Sequence, residues 1–96
     1  MTSTMQEPVE LLRDRLERAF AVHTNRLTEL TVRGPATDPA TYEAQVESAR
    51  HGVANTAQAL RRMSEGSYGR CEACGTTIDW QRLVAVPHAR RCSHCR

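Results

Sequence analysis

Apolar residues recur at helical spacing along the first two thirds of the chain, and then the pattern stops. Val9, Leu12, Leu16, Ala19, Phe20, His23, Leu27 and Leu30 follow one another at steps of three and four, apart from the adjacent Ala19–Phe20 pair. That spacing puts them on one face of an α-helix. No Gly or Pro interrupts residues 9–33. RGPATDP comes next: Gly34 suits the position just past a helix end, and Pro35 stops continuation. Asp38 before Pro39 is a strong helix start, because the carboxylate caps free N–H groups and proline fits the first turn. A second helix is predicted from Pro39 to about Glu65, with Tyr42, Val46, Ala49, Val53, Thr56, Leu60 and Met63 in a heptad stripe.

Only about four residues separate the two helices, so they must lie antiparallel. Folding about the 34–38 tip pairs Leu30 with Tyr42, Leu27 with Val46, His23 with Ala49 and Phe20 with Val53. It also pairs Leu16 with Thr56, Leu12 with Leu60 and Val9 with Met63. Two arms of this length make a rod of roughly 38 Å. Ala49, Thr56 and His23 make the seam thin, and a hairpin alone is marginally stable. Gly52 costs about 1 kcal/mol against Ala inside a helix, unless it admits close approach near Phe20. The expected organisation is a flexible tail over 1–7, a helical hairpin (coiled coil) over 8–65 and a separate module over 66–96. Thr4 and Glu7 could form a capping box ahead of Pro8.

Charge is unevenly spread. Residues 1–65 hold eight Arg against nine acids, and residues 66–96 hold five Arg against two. All 13 basic residues are arginine, a uniformity that reads as codon bias. A four-thiolate metal site would lower the charge of the last third, so the raw balance overstates the case for nucleic-acid binding. Aromatic residues are few (Phe20, Tyr42, Tyr68 and Trp80), which argues against a large catalytic pocket or a small-molecule substrate. MTSTMQEPVE lacks the apolar run of a secretory signal, and no apolar stretch reaches membrane-spanning length. A cytoplasmic chain with reduced thiols is the expectation, and reduced thiols favour metal over disulfide.

Gly66, Ser67 and Gly69 end the second helix and open a turn-rich segment, with short strands at most. It contains CEAC and CSHC, 17 residues apart. Each Cys-x-x-Cys presents two sulfurs to one ion, and two such knuckles complete the tetrahedral S₄ set that Zn²⁺ prefers. Cys71, Cys74, Cys92 and Cys95 are therefore the predicted ligands of one structural zinc ion. Gly75, directly after Cys74, fits a knuckle that needs an open backbone conformation. Four sulfur ligands leave no open coordination position, which disfavours metal-assisted hydrolysis. His94 and His88 are read as solvent-facing or supporting groups. Ile78, Trp80, Leu83 and Val86 are the expected small core behind the metal.

These residues bring out a resemblance. SYGRCEACGTTIDWQRLVAVPHARRCSHC is similar to the C4 zinc finger of the DksA/TraR family, matching at Gly66 or Ser67, Tyr68, Gly69, Cys71, Cys74, Gly75, Ile78, Arg82, Leu83, Ala85, Pro87, Ala89, Cys92 and Cys95. The resemblance covers the last third of the chain, and a helical hairpin precedes the finger as in longer members. It implies a mainly α fold and a non-enzymatic transcription regulator. Such a regulator binds RNA polymerase directly and inserts the hairpin tip into the secondary channel, altering open-complex lifetime without sequence-specific DNA reading. Best-known members carry two acidic residues at the tip. Asp38 matches the first, Thr41 stands at the second, and Glu43 is nearby; these three are the candidate partner-binding residues. Two further readings of the residues stand beside this one. One is a zinc-stabilised interaction adaptor or homodimer, which the thin seam favours. The other is a nucleic-acid-binding zinc ribbon using Arg70, Arg82, Arg90, Arg91 and Arg96, perhaps with Arg61 and Arg62.

Overall fold

Helix α1 (Gln6–Arg33) and helix α2 (Pro39–Glu65) lie antiparallel and pack along their length, and a six-residue helix, α3 (Trp80–Ala85), falls within the turn-rich segment that follows. This computed structural model describes residues 6–95. The expected cap at Thr4 lies outside the described residues. The helix is already formed at Gln6, two residues into the segment read as a tail.

The connection at the tip follows the sequence closely. The Gly34 N–H donates to the Leu30 carbonyl (3.0 Å), closing α1. Asp38 caps α2 from an extended backbone: its Oδ2 accepts the Thr41 N–H at 3.0 Å and its Oδ1 accepts the Thr41 hydroxyl at 2.7 Å. Pro39 occupies the first turn, where no N–H is needed. The other end of α2 is closed by Gly66 in a left-handed conformation (φ 81°), which lets its N–H reach back to the Arg62 and Met63 carbonyls.

Just below the tip the pairing is the expected one. The Tyr42 hydroxyl donates to the Leu30 carbonyl (2.9 Å), locking the first pair below the tip. Leu12, Leu16, Ala49 and Thr56 are buried along the seam, and the buried Thr56 hydroxyl is satisfied by the Gly52 carbonyl at 2.7 Å. Gly52 does mark a close approach, but the group it admits is His23 and not Phe20. A Cβ at Gly52 would lie 2.5 Å from the His23 ring. Cα–Cβ bonds tilt toward a helix N-terminus, so the His23 side chain leans from its own level toward that of Phe20, opposite Gly52. Near the base, Ala59 is buried at 3% exposure, while its heptad neighbour Leu60 is only half-buried.

Residues 67–95 are held by turns, α3 and one isolated antiparallel bridge between Arg70 and Thr77; among the described residues there is no strand. Helix α3 stands where the sequence pattern predicts only turns and short strands. It follows Asp79, whose side chain makes no cap hydrogen bond. The finger does not stand apart from the hairpin: Leu12 of α1 sits in one buried cluster with Cys71, Ile78, Leu83, Ala89 and Cys92, with Met63 of α2 against it. Arg15 donates to the Val84 carbonyl (2.9 Å), Arg62 to the Arg70 carbonyl (2.7 Å) and Arg90 to Gln58 Oε1 (3.1 Å), tying both helices to the finger.

Gly52 gives a sharp stability test. Gly→Ala inside a helix ordinarily gains about 1 kcal/mol. Here Gly52→Ala should lose about 1–3 kcal/mol by driving a methyl into the His23 ring, and the double variant with His23→Ala should recover that loss. Denaturant unfolding of the two single variants and the double variant measures the coupling directly.

Candidate metal centre

Two knuckles build the centre. In the first, the Cys71 N–H donates to the Thr76 carbonyl (2.8 Å) and the Gly75 N–H to the Cys71 carbonyl (2.9 Å), which closes a tight turn around Cys74. Gly75 sits at φ 80°, a conformation that glycine adopts without steric cost. In the second, the Cys95 N–H donates to the Cys92 carbonyl (3.1 Å). The Glu72 N–H donates to the Arg90 carbonyl (2.9 Å), and Arg91 pairs with Glu72 at 3.3 Å. These two links hold one knuckle beside the other.

The result is a four-sulfur group. The Sγ atoms of Cys71, Cys74, Cys92 and Cys95 all lie within 4.8 Å of one another, and Cys74 Sγ is 3.7 Å from Cys92 Sγ. A tetrahedron with Zn–S bonds of about 2.3 Å has edges of about 3.8 Å, whereas a disulfide holds its sulfurs about 2.05 Å apart. All four thiols are free. The geometry fits one ion in an S₄ cage and leaves no place for a substrate on the metal.

Electrostatics point the same way. The Cys71 thiol is pulled down to about 6, first by the Cys92 backbone N–H and then by those of Cys74 and Ala73. Cys92 is lowered chiefly by the backbone N–H of His94. Cys95 is pushed up to about 12 by the other three sulfurs crowded around it. Four thiolates so close together need a cation among them. His94 contributes its backbone N–H, and its ring is outside the sulfur group. The Thr76 hydroxyl lies 2.9 Å from Cys74 Sγ, a supporting contact that no motif marks.

Behind the sulfurs, Ile78 and Leu83 are buried and Val86 partly so. Trp80 departs from expectation: it is 38% exposed and lies outside the core. Tyr68 takes a supporting place there, donating its hydroxyl to the Pro87 carbonyl (2.8 Å). Burial pushes its phenol up to about 12. His88 is held below the ordinary imidazole range by burial first, then by Arg90 and His23. Three finger arginines serve as struts: Arg82 donates to the Arg91 carbonyl (2.9 Å), Arg91 meets Glu72 and Arg90 meets Gln58. The three candidate tip residues, Asp38, Thr41 and Glu43, lie at the far end of the hairpin from the sulfurs; all are exposed, and hydrogen bonds join only Asp38 to Thr41. Among the described residues no helix is long and apolar enough to cross a membrane.

Comparison with known proteins agrees with this site. Residues 66–96 match the family described as the prokaryotic dksA/traR C4-type zinc finger. General stress protein 16O of Bacillus subtilis (strain 168) is 33% identical over 93 residues, covering 93% of this chain and 49% of the relative. An uncharacterized protein of Aquifex aeolicus (strain VF5) is 46% identical over 37 residues, covering 38% of this chain and 26% of its own. The chain thus spans half or less of the curated relatives it matches. Among solved structures, transcription factor DksA2 from Pseudomonas aeruginosa superposes with a TM-score of 0.55 at 25% identity, covering 93% of this chain and 77% of that one.

Two outcomes test the centre. Cys92→Ser should abolish stoichiometric zinc binding and unfold residues 66–95. Because Leu12 shares that core, amide exchange should also speed up at the base of α1; metal analysis and hydrogen exchange read both. Tyr68→Phe leaves the Pro87 carbonyl without its partner and should cost about 1–2 kcal/mol. The folded phenol titrates above its unfolded value. Its contribution is therefore complete below about pH 10 and is lost as pH rises through about 12. Unfolding of wild type and Tyr68→Phe should accordingly converge at high pH.

Proposed function

We propose, from the premise that residues 66–96 are a DksA/TraR C4-type zinc finger, that the chain is a zinc-containing transcription regulator, not an enzyme, and that it binds RNA polymerase directly with the hairpin tip probing the secondary channel. The observation that carries this reading is the joining of finger and hairpin through one core, with the tip presented at the far end of a molecule 53 Å long. The superposition with a protein described as a transcription factor supports it. In this reading Cys71, Cys74, Cys92 and Cys95 hold one structural Zn²⁺, which fixes the finger and, through Leu12, the base from which the hairpin projects.

The tip chemistry suits a narrow, metal-bearing channel. Asp38 is exposed, and hydrogen bonds from the Thr41 hydroxyl and N–H hold its carboxyl below the usual range, so it stays anionic. Glu43, one turn into α2, is exposed as well. Thr41 carries no charge of its own but orients the Asp38 carboxylate. The tip therefore offers one fixed negative charge and a second, exposed one nearby.

Asn caps helices as well as Asp does, so Asp38→Asn separates the structural role from the functional one. The zinc-loaded wild type should bind core RNA polymerase and be displaced by a protein already occupying the secondary channel. Asp38→Asn should fold and bind with wild-type stability and near-wild-type affinity, and yet lose its effect on open-complex lifetime. Binding that a channel occupant does not compete, or no binding at physiological salt, would overturn this reading.

A further inference from the structure

Between the flank of α1 and the finger, basic side chains gather around a cavity of about 350 Å³. Arg15, Arg18, Ala19 and His23 stand at i, i+3, i+4 and i+8 on α1, a spacing that puts them on one side of a helix. All four line the cavity. Ala19 is short and leaves room between the arginines and the imidazole. Opposite them are Thr56 of α2 and the finger residues Pro87 and His88. Among the described residues no Asp or Glu lines the cavity.

The neutral polar groups of the wall are already engaged. The Pro87 carbonyl accepts the Tyr68 hydroxyl (2.8 Å), and the Thr56 hydroxyl donates to the Gly52 carbonyl (2.7 Å). What remains is basic. Arg15 is held by its bond to the Val84 carbonyl (2.9 Å), and a guanidinium keeps further N–H donors after one such bond. Arg18 pairs with Asp14 at 2.8 Å on exposed surface, where a pair of this kind is weak and exchangeable; Asp14 stands outside the lining. The His23 ring lies against the bare Gly52 backbone, where a Cβ would come within 2.5 Å of it, so the ring is positioned before any ligand arrives. His88 is half-buried, and after burial itself the charges of Arg90 and His23 bear on it. Positive charge left unbalanced in a cleft concentrates anions there.

We infer that this cavity is a binding site for a compact oxyanion of the phosphate class, held by Arg15 and Arg18 from α1 and by the rings of His23 and His88. Guanidinium forks match the oxygens of such an anion with paired, charge-assisted hydrogen bonds, and an imidazole N–H adds a donor from another side. The same inventory disfavours a metal cation, which two arginines repel and no carboxylate in the lining attracts. No Phe, Tyr or Trp lines the cavity, so it offers no broad platform for a nucleotide base, and its size and charge select a small anion such as inorganic phosphate or pyrophosphate. With ligands from α1 and from the finger, the bound anion bridges the junction of hairpin and finger and stabilises the folded state by mass action. The site is separate from the tip and from the four sulfurs, and it does not depend on polymerase binding.

The test uses the zinc-loaded full-length protein in chloride buffer at constant ionic strength, with inorganic phosphate as the probe. Phosphate should bind saturably, raise the thermal midpoint and shift the imidazole NMR signals of His23 and His88. It should also raise the pH at which His88 titrates, because an anion favours the charged ring. Arg18→Gln removes one fork from an exposed position and should weaken binding about tenfold, with helicity and zinc content unchanged. His88→Gln should do the same from the finger side. Arg50→Gln, on the exposed side of α2, should leave binding as it is. Shifts that never saturate, or equal losses in Arg50→Gln, would overturn the site. Saturable binding that both Arg18→Gln and His88→Gln leave intact would overturn it as well. Adenosine monophosphate binding far more tightly than phosphate or pyrophosphate at these residues would overturn the compact-anion assignment in favour of a nucleotide. Duplex DNA or RNA binding that Arg18→Gln abolishes and phosphate does not compete would overturn it in favour of a nucleic-acid backbone.

Discussion

Four sulfur atoms brought within 4.8 Å of one another set the terms for the rest of this molecule. Four thiolates at that spacing need a cation among them; without one, hydrogen bonds to the other three sulfurs keep the proton on Cys95 and push its thiol up to about 12. Backbone N–H groups from the two knuckles meet part of the need, drawing Cys71 down to about 6. A divalent ion with four sulfur ligands meets the remainder. The turn-rich segment around it has one isolated bridge and a six-residue helix, far too little regular structure to persist by itself.

The hairpin depends on that centre in turn. Its seam is thin, with Ala49, Thr56 and the Gly52–His23 contact where a stronger coiled coil would hold larger aliphatics. Leu12 is the link, because one side chain belongs both to the base of α1 and to the core behind the sulfurs. Arg15, Arg62 and Arg90 add three struts across the same junction, each to a carbonyl or amide oxygen on the opposite side. Ordering the finger therefore orders the lower hairpin, and the direction in which the tip projects is fixed by the metal.

Much of this was legible in the sequence, for identifiable reasons. Heptad spacing, the Asp38–Pro39 start and the Gly34 and Gly66 stops are local signals, and local signals place helices and their register; the Tyr42–Leu30 hydrogen bond lies where the pairing put it. The paired Cys-x-x-Cys motif is equally local. What escaped were matters of direction and of contacts distant in sequence. His23 faces Gly52 because side chains lean toward the helix N-terminus, which a flat ladder of pairs ignores. Helix α3 is six residues long with no side-chain cap, too short for periodicity to reveal. Hydrophobicity alone places Trp80 in the core, yet the cluster is filled by Leu12 and Met63 arriving from the hairpin, and the indole is left partly in water.

The coordination of the metal tests the account most directly. X-ray absorption at the zinc edge of the purified protein should show a single shell of four sulfurs at about 2.3 Å. A shell containing nitrogen or oxygen would contradict it, since the ion would then rest on His94 or water, and the closed cage from which the finger, the Leu12 link and the fixed hairpin follow would not exist.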